Sequence, residues 1–462
     1  LRESSSQIEY SLWIFKPSIG YRYRYDASYN DNILKRGEKY NIYIGGLTIT
    51  PTKRIVNSIS YSIQLDDEFL DIWLRKDEAR TIKEEISIND LPKGLDLNYQ
   101  YTFREKKYKD ITGTDSRQNL SYLKSSYDLG AFNLEYNHKY NRTRSALKLE
   151  RFIKVEEGRG EYRFEDGEYI PDPFGEYIRI VEEAGDFRPV SEIDNTAIFR
   201  FDGRRLKNQE GTLKHIRVES NVEFNQRSEE IQIGFVDLIN PWRDIDQSLI
   251  VNQRMNYIQD LYILSGNYKR KQEIRFRYNQ DRNISAGGSY SGDYDDKRIG
   301  SFRLRKYLGS DFSLEAEYER EHRVVGGAAR LKLDSDVVQP DISYTPSTAI
   351  EIGSGIKYRR DNETLDNYTV NLYSLLPHLR WNFSKKGRFD VNSEIIYVQS
   401  NDVEYFNFRI AEGNRKGNNY RLTVRGLLKL GEHSSGEVTY NLRKRPEEKT
   451  KHYARVQMKY SF

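Results

Sequence analysis

Cysteine is absent from all 462 residues. Thiol catalysis, thiolate zinc sites, iron–sulfur clusters and covalent haem attachment are thereby excluded for this chain, and the composition suits an oxidising compartment. Long apolar runs are absent too. No stretch reaches the ~18 apolar residues that a membrane-spanning helix needs, charged residues make up 31% of the chain, and the mean hydropathy is −0.83. Proline is scarce, with 11 residues placed mostly where turns and loops are expected. No charge of one sign dominates: 74 basic residues nearly balance 70 acidic ones, for a net +4. A general nucleic-acid footprint is therefore not expected. Aromatic residues, by contrast, are plentiful at 13%, with 36 Tyr and 20 Phe. A chain this polar with few aromatics would read as disordered; here the aromatics recur at regular positions. The first residue is Leu1, without Met, so the expectation is either a secreted chain that has lost its leader or the tail of a longer polypeptide.

Period two runs along the whole chain. At its end Ala454, Val456, Met458, Tyr460 and Phe462 alternate with Arg455, Gln457, Lys459 and Ser461. Ile274, Phe276 and Tyr278 alternate with Glu273, Arg275 and Arg277, and Phe312, Leu314, Ala316 and Tyr318 with Ser313, Glu315, Glu317 and Glu319. Near the start Tyr21, Tyr23 and Tyr25 alternate with Arg22, Arg24 and Asp26. Successive side chains of a strand point to opposite faces, so each segment has one apolar and one charged face. A soluble sandwich would hide the apolar faces against each other and would need no detergent. A membrane barrel would turn them to lipid and its charges to a watery lumen. Strand length favours the second. Most segments exceed the ~5–6 residues usual in soluble sheets and meet the ~9–11 that span a bilayer.

Compact turn candidates recur at Pro51-Thr52-Lys53, Leu91-Pro92-Lys93-Gly94, Leu129-Gly130, Asn208-Gln209-Glu210-Gly211, Ser265-Gly266-Asn267, Leu308-Gly309-Ser310, Thr345-Pro346-Ser347 and Ser384-Lys385-Lys386-Gly387, built from residues that tolerate tight turns. Between consecutive turns come one strand up, a longer loop and one strand down. Short turns on one rim and long loops on the other are the barrel layout. The expected fold is all-β, a transmembrane antiparallel up-and-down β-barrel of about 20 strands (range roughly 18–22, an even number), with both termini in the periplasm. The barrel occupies residues 17–462, after a periplasmic N-terminal segment 1–16. Its first strand falls at 17–29 and its last at 450–462; the alternation is weakest at 78–89 and 333–345. The longest loop insert is 151–192, and 228–249 and 400–417 are the other long loops.

The C-terminal segment Ala454-Arg-Val-Gln-Met-Lys-Tyr-Ser-Phe462 resembles the final strand of bacterial outer-membrane β-barrel proteins, porin-like chains that end on an aromatic with apolar residues at alternate positions before it. The resemblance is to the class, not to a named family. It implies a bacterial (Gram-negative) outer-membrane location, a lipid bilayer around the chain, and Met458, Tyr460 and Phe462 as the signal read by the barrel assembly machinery. The segment 1–16 is too short for a plug domain of the kind found in TonB-dependent receptors, so none is expected ahead of the first strand within these residues.

Parity places Arg275, Arg277, Arg303, Arg305, Glu315, Glu317, Glu319, Lys357, Arg359, Arg421, Arg425, Arg443, Arg455 and Lys459 on the lumen side. One reading is a charged channel that steers ions, with weak anion preference because the wall is most basic from 418 to 459. The plainer reading is a ladder of salt bridges between neighbouring strands that hydrates and stiffens the wall. The outward Tyr and Phe read as interfacial anchors; a stacking track for sugars or for electron hopping would need them in a row inside. The insert 151–192 carries three Gly-Glu-Tyr triplets, Gly160-Glu161-Tyr162, Gly167-Glu168-Tyr169 and Gly175-Glu176-Tyr177. They suggest a small β-meander that caps the pore or contacts a partner through Glu161, Tyr162, Glu168, Tyr169, Glu176 and Tyr177. Its acids are dense enough to bind calcium, yet no EF-hand spacing is present. Pro241-Trp242 in loop 228–249 reads as a contact or as loop packing.

The six histidines (His138, His215, His322, His378, His433 and His452) are scattered and none sits in a nucleophile motif, so no enzyme activity and no cofactor are expected. The leading functional expectation is an outer-membrane pore or channel for small hydrophilic solutes. The alternatives are a scaffold or sleeve for a partner held in the lumen or at loop 151–192 (a secretion subunit, a lipoprotein or a cytochrome), or the membrane anchor of a longer chain. Nucleic acid is not an expected partner.

Overall fold

The computed structural model describes all residues except 1, 31–32, 70–71, 92–93, 110–115, 156–159, 166–167, 207–210, 230–249, 265–271, 286–292, 327–329, 384–386, 401–405, 430, 432–433 and 461–462. The described strands are β1 (Arg2–Glu9), β2 (Phe15–Asn30), β3 (Ile33–Thr52), β4 (Ile55–Phe69), β5 (Trp73–Leu91), β6 (Leu95–Tyr108), β7 (Ser116–Asp128) and β8 (Phe132–Lys154). There follow β9 (Gly160–Glu165), β10 (Glu168–Gly175), β11 (Tyr177–Asp202), β12 (Ile216–Glu229), β13 (Ile250–Leu264), β14 (Gln272–Ser285), β15 (Asp293–Leu308) and β16 (Phe312–Val325). The last are β17 (Leu331–Ser347), β18 (Ile350–Glu363), β19 (Tyr368–Phe383), β20 (Gly387–Ser400), β21 (Gly417–Lys429), β22 (Ser434–Lys444) and β23 (Lys451–Tyr460). The chain forms two compact units. The first is Leu1–Leu147 with Ala184–Phe201 and Ser220–Met255; the second is Lys148–Glu183 with Asp202–Glu219 and Asn256–Phe462.

The strands expected at 17–29, 78–89, 333–345 and 450–462 correspond to β2, β5, β17 and β23, and the fold is all-β and antiparallel. In the first unit each strand from β1 to β7 pairs with its successor, ending on β8. In the second, β14 to β23 run as the same up-and-down meander. Three strands lie beyond the expected count. β1 pairs with β2 from Arg2↔Tyr25 to Glu9↔Ser18, in a segment whose Ser-Ser-Ser run shows no alternation to read. β9 and β10 form a hairpin inside the long insert, where the triplets suggested a small meander. Gly130 and Gly309 take φ of 76° and 70° at their turns, a conformation that costs other residues roughly 1–2 kcal/mol. The turn candidates at 208–210 and 265–267 and the Pro241-Trp242 pair lie outside the described residues.

Burial is inverted relative to a soluble protein. Residues directly opposite in an antiparallel pair share a face. In the second unit the apolar face is the exposed one: Ile342 is 48% and Ile352 50% exposed, and Leu314, Val338, Ile356, Leu375 and Ile395 are exposed as well. The polar face is covered, with Glu321 at 2% and Asp361 at 1%. The first unit has the same sense. Leu47, Ile59, Tyr61 and Ile82 are exposed while Asp66 and Asp77, opposite each other in register, are buried beside Lys106, whose Nζ is 2.8 Å from Asp77.

Aromatic rows bound the apolar belt of the second unit. Tyr318, Val338, Tyr358, Tyr373 and Tyr397 stand in register across β16 to β20. At the other edge Phe312 stacks on Tyr344 at 4.6 Å and Trp381 stands opposite Phe389. From Ile350 to Tyr358 the belt measures ~27 Å along the strand at ~3.4 Å per residue, or ~21 Å once strands tilt by ~40°, close to the ~25 Å apolar band of a membrane barrel. Beyond the Tyr row the polarity changes. The outer face turns charged, with Arg320 and Arg360 flanking Asp336 and His322 opposite Asp334. The inner face gains a core of Val325, Leu331, Leu333, Val370, Leu372, Ile396 and Val398. Strand ends that meet water on the outside hide apolar groups inside, as any soluble sheet does.

Candidate functional site

The charged inner face of the second unit is the candidate site. All fourteen residues assigned to it from parity share that face: the register links Arg275 with Arg303, Arg303 with Glu317, Arg305 with Glu315, Arg421 with Arg443, and Arg455 with Thr439. Nearer the short-turn end they form a ladder. Arg303 donates to Glu273 at 3.0 Å, Arg305 to Glu315 at 2.6 Å, Arg275 to Glu317 at 2.9 Å and Arg425 to Glu437 at 2.7 Å. Arg277 holds Asp260 with two bonds of 2.7 and 2.8 Å. Glu319 lies opposite Ser301, and Arg455 and Lys459 are exposed and have no ion pair among the described residues. The half-exposed Arg425–Glu437 pair contributes ~0.2–1 kcal/mol, while Arg275, Arg303 and Asp260 are more covered; together the pairs keep the face charged and in register.

Toward the long-loop end a second arrangement replaces the ladder. A short 3-10 turn, Ile410–Gly413, lies on the inner wall. Ile410 and Ala411 are fully buried and complete the apolar core named above. Around that plug the charges converge. The Ala411 amide donates to Asp361 Oδ2 at 2.6 Å, and Arg359 donates to Asp361 at 2.7 Å, Ser335 at 3.0 Å and Glu321 at 3.2 Å. Glu412 pairs with Lys357, while Arg421 donates to the Glu412 carbonyl at 2.9 Å and to Asn414 at 2.8 Å. Burial alone would raise the Glu412 pKa. Lys357, by charge and hydrogen bond, then Arg359 and Arg421, outweigh it and hold the carboxyl below the ordinary glutamate value.

The insert hairpin reaches the same region. Its two faces differ in kind. Tyr162, Phe164 and Tyr169 form a ring cluster with Phe152 and Tyr177, in which Phe152 stacks on Tyr169 at 3.9 Å. The other face carries Arg163 and Asp172, and Asp172 lies 2.9 Å from Arg443 on β22. Glu176 pairs with Lys154 at 3.2 Å. Glu161 and Glu168 belong to β9 and β10, with side chains outside the described residues, as is Phe462. Met458 and Tyr460 stand on the exposed apolar face of β23.

Parity found the wall but not its partners. Asp361 and Glu321 share the parity of Arg359 and were legible in principle; Glu412, Arg445 and Asp172 sit in loops or short hairpins where no periodicity exists to mark them. Among the described residues no group of three or more His, Asp or Glu is placed to hold a metal ion.

No family model matches the chain, and no curated protein matches it in sequence. Solved structures with similar folds include the copper transporter OprC (6% identity, 100% of this chain and 79% of that one, TM-score 0.39). The siderophore receptor PirA of Pseudomonas aeruginosa shows 9% identity over 96% of this chain and 80% of its own, TM-score 0.39. The FrpB iron transporter of Neisseria meningitidis shows 8% identity over 100% and 79%, TM-score 0.36. The cargo named for each belongs to those proteins alone.

Proposed function

We propose that the chain is a transmembrane β-barrel of the Gram-negative outer membrane that passes small hydrophilic solutes through a charged lumen. One observation carries this reading: the apolar face of the meander is the exposed face, banded by aromatic rows at bilayer spacing, while the charged face is covered. An apolar belt of that extent is unfavourable in water and supports a hydrocarbon surround. The Ile410–Gly413 turn is, on this reading, the constriction, since it brings Glu412 together with Lys357 and Arg421. On this reading Met458, Tyr460 and Phe462 direct assembly of the barrel, and no catalytic step is assigned to the chain.

A partner-scaffold reading is favoured by a different observation. The hairpin keeps Phe164 and Tyr169 exposed on its aromatic face, where a companion protein would bind. One experiment separates the two. The chain is purified in detergent and its single-channel current recorded in a planar bilayer. Steady ohmic openings without a companion support the channel. A silent barrel that co-purifies with a stoichiometric companion overturns it in favour of the scaffold.

A further inference from the structure

Three guanidinium groups from two segments meet within the second unit. They belong to Arg163 on β9, Arg443 at the end of β22, and Arg445 one residue past that strand. Asp172 of β10 joins the first two, with Oδ2 2.9 Å from Arg443 Nη1 and 3.5 Å from Arg163 Nε, while the nearer carboxylate to Arg163 is Glu165, at 2.7 Å. Arg445 is 4% exposed and donates to the Gly413 carbonyl. Its Nε has no hydrogen-bond partner among the described residues. Its ion-pair partner is Glu448 at 3.7 Å, and that carboxylate lies closer to Arg415, at 3.1 Å. Two guanidiniums thus share one carboxylate, and the more buried of them has the longer contact. Burial pushes the Arg445 pKa down to about 10, and the neighbouring Arg163 and Arg443 push in the same direction, against the smaller opposing pull of Glu448 and Glu165. A buried cation with a distant partner and like-charged neighbours favours an additional anion.

We propose that Arg163, Arg443 and Arg445 form a binding site for an oxyanion, a phosphate or carboxylate group on the solute, and that Asp172 is its built-in competitor. The Asp172 carboxylate lies at ion-pair distance from Arg443 and Arg163, the place an oxyanion would take. It is presented from Pro171-Asp172-Pro173, where fixed proline φ angles limit its freedom to swing aside. The site deepens the channel reading by naming the solute class, and it rests on that reading for access from outside.

The test uses the full chain in detergent and inorganic phosphate as the probe, with succinate in parallel, followed by titration calorimetry. Saturable binding of either anion is expected to weaken at least tenfold in Arg445→Gln and to tighten severalfold in Asp172→Asn, while Arg360→Gln on the outer face binds as the parent does. Absence of binding to the parent, equal binding by Arg445→Gln, or weaker binding by Asp172→Asn overturns the site. Should Arg445→Gln fail to fold, judged by heat-modifiable migration, the near-isosteric Asp172→Asn decides alone: only tightening supports the proposal. A chain that conducts yet binds neither anion loses the site and keeps the channel. One that binds phosphate but stays silent in the bilayer keeps the site and loses the channel.

Discussion

The amide of Ala411 donates to Asp361 Oδ2 at 2.6 Å, and this bond fastens a strained turn to the inner wall. Ala411 and Glu412 both have positive φ, 50° and 56°, which costs roughly 1–2 kcal/mol per residue. The turn keeps that conformation because Ile410 and Ala411 are buried in the apolar core while Asp361, Lys357 and Arg421 hold its polar groups.

Removing the fastening is therefore costly. Asp361→Ala leaves the Ala411 amide without its acceptor and the buried Arg359 guanidinium with Glu321 as its closest remaining carboxylate, at 3.2 Å. Breaking a buried ion pair from one side costs about 3–5 kcal/mol. The measurement is the urea midpoint of the folded chain in detergent or lipid. A loss below ~1 kcal/mol, the value of an exposed pair, would show that solvent reaches this network.

Acid loosens the turn. The Glu412 carboxyl is held below its ordinary value in the folded state, so the unfolded state binds its proton first as pH falls. Its stabilising contribution is complete above the ordinary glutamate pKa and is lost as pH falls through the depressed folded value. A spin label at Phe408 is expected to stay immobile from neutral pH to about the ordinary glutamate pKa of ~4.3 and to gain mobility only below it. Glu412→Gln is expected to show the mobile signal at every pH. A variant that matched the parent profile would remove Glu412 from the latch.

The outer face gives the sharpest test of the surround. Ile342 is 48% exposed, mid-belt, opposite Leu314 and Ser354. An arginine at an exposed position of a soluble protein changes stability by no more than about 0.5 kcal/mol; at the centre of a lipid-facing belt it costs about 2–4 kcal/mol. Ile342→Arg is expected to fall in the second range in a bilayer-based unfolding titration. A neutral result would mean that water, not lipid, meets this face.

If the Ile410–Gly413 turn narrows the path, replacing residues 406–416 by a short Gly-Ser linker raises single-channel conductance severalfold. Unchanged conductance in a chain that still folds would place the path elsewhere.

The fold was legible because a strand offers only two faces. Ile274, Phe276 and Tyr278 against Glu273, Arg275 and Arg277 state one face for lipid and one for water, whatever surrounds them. Where the surround changes, the pattern weakens. At Leu331-Lys332-Leu333-Asp334 the leucines point inward and the charges outward, because these residues lie past the Tyr row. That change of phase explains the weak alternation expected at 333–345. Parity likewise placed Arg359 and Arg443 on the inner face but said nothing of their partners.

The sequence by itself determined the long strands, their long-loop and short-turn alternation, and which of their side chains share a face, since these follow from local periodicity and turn chemistry; it did not place β1, β9 or β10. Only the tertiary structure decided that Asp172 meets Arg443, that Glu412 meets Lys357, and that Ile410 joins the core that holds Leu333 and Leu372. Those contacts join segments far apart in the chain, and their geometry depends on strand register and on how a loop folds back, neither of which leaves a period in the residues themselves.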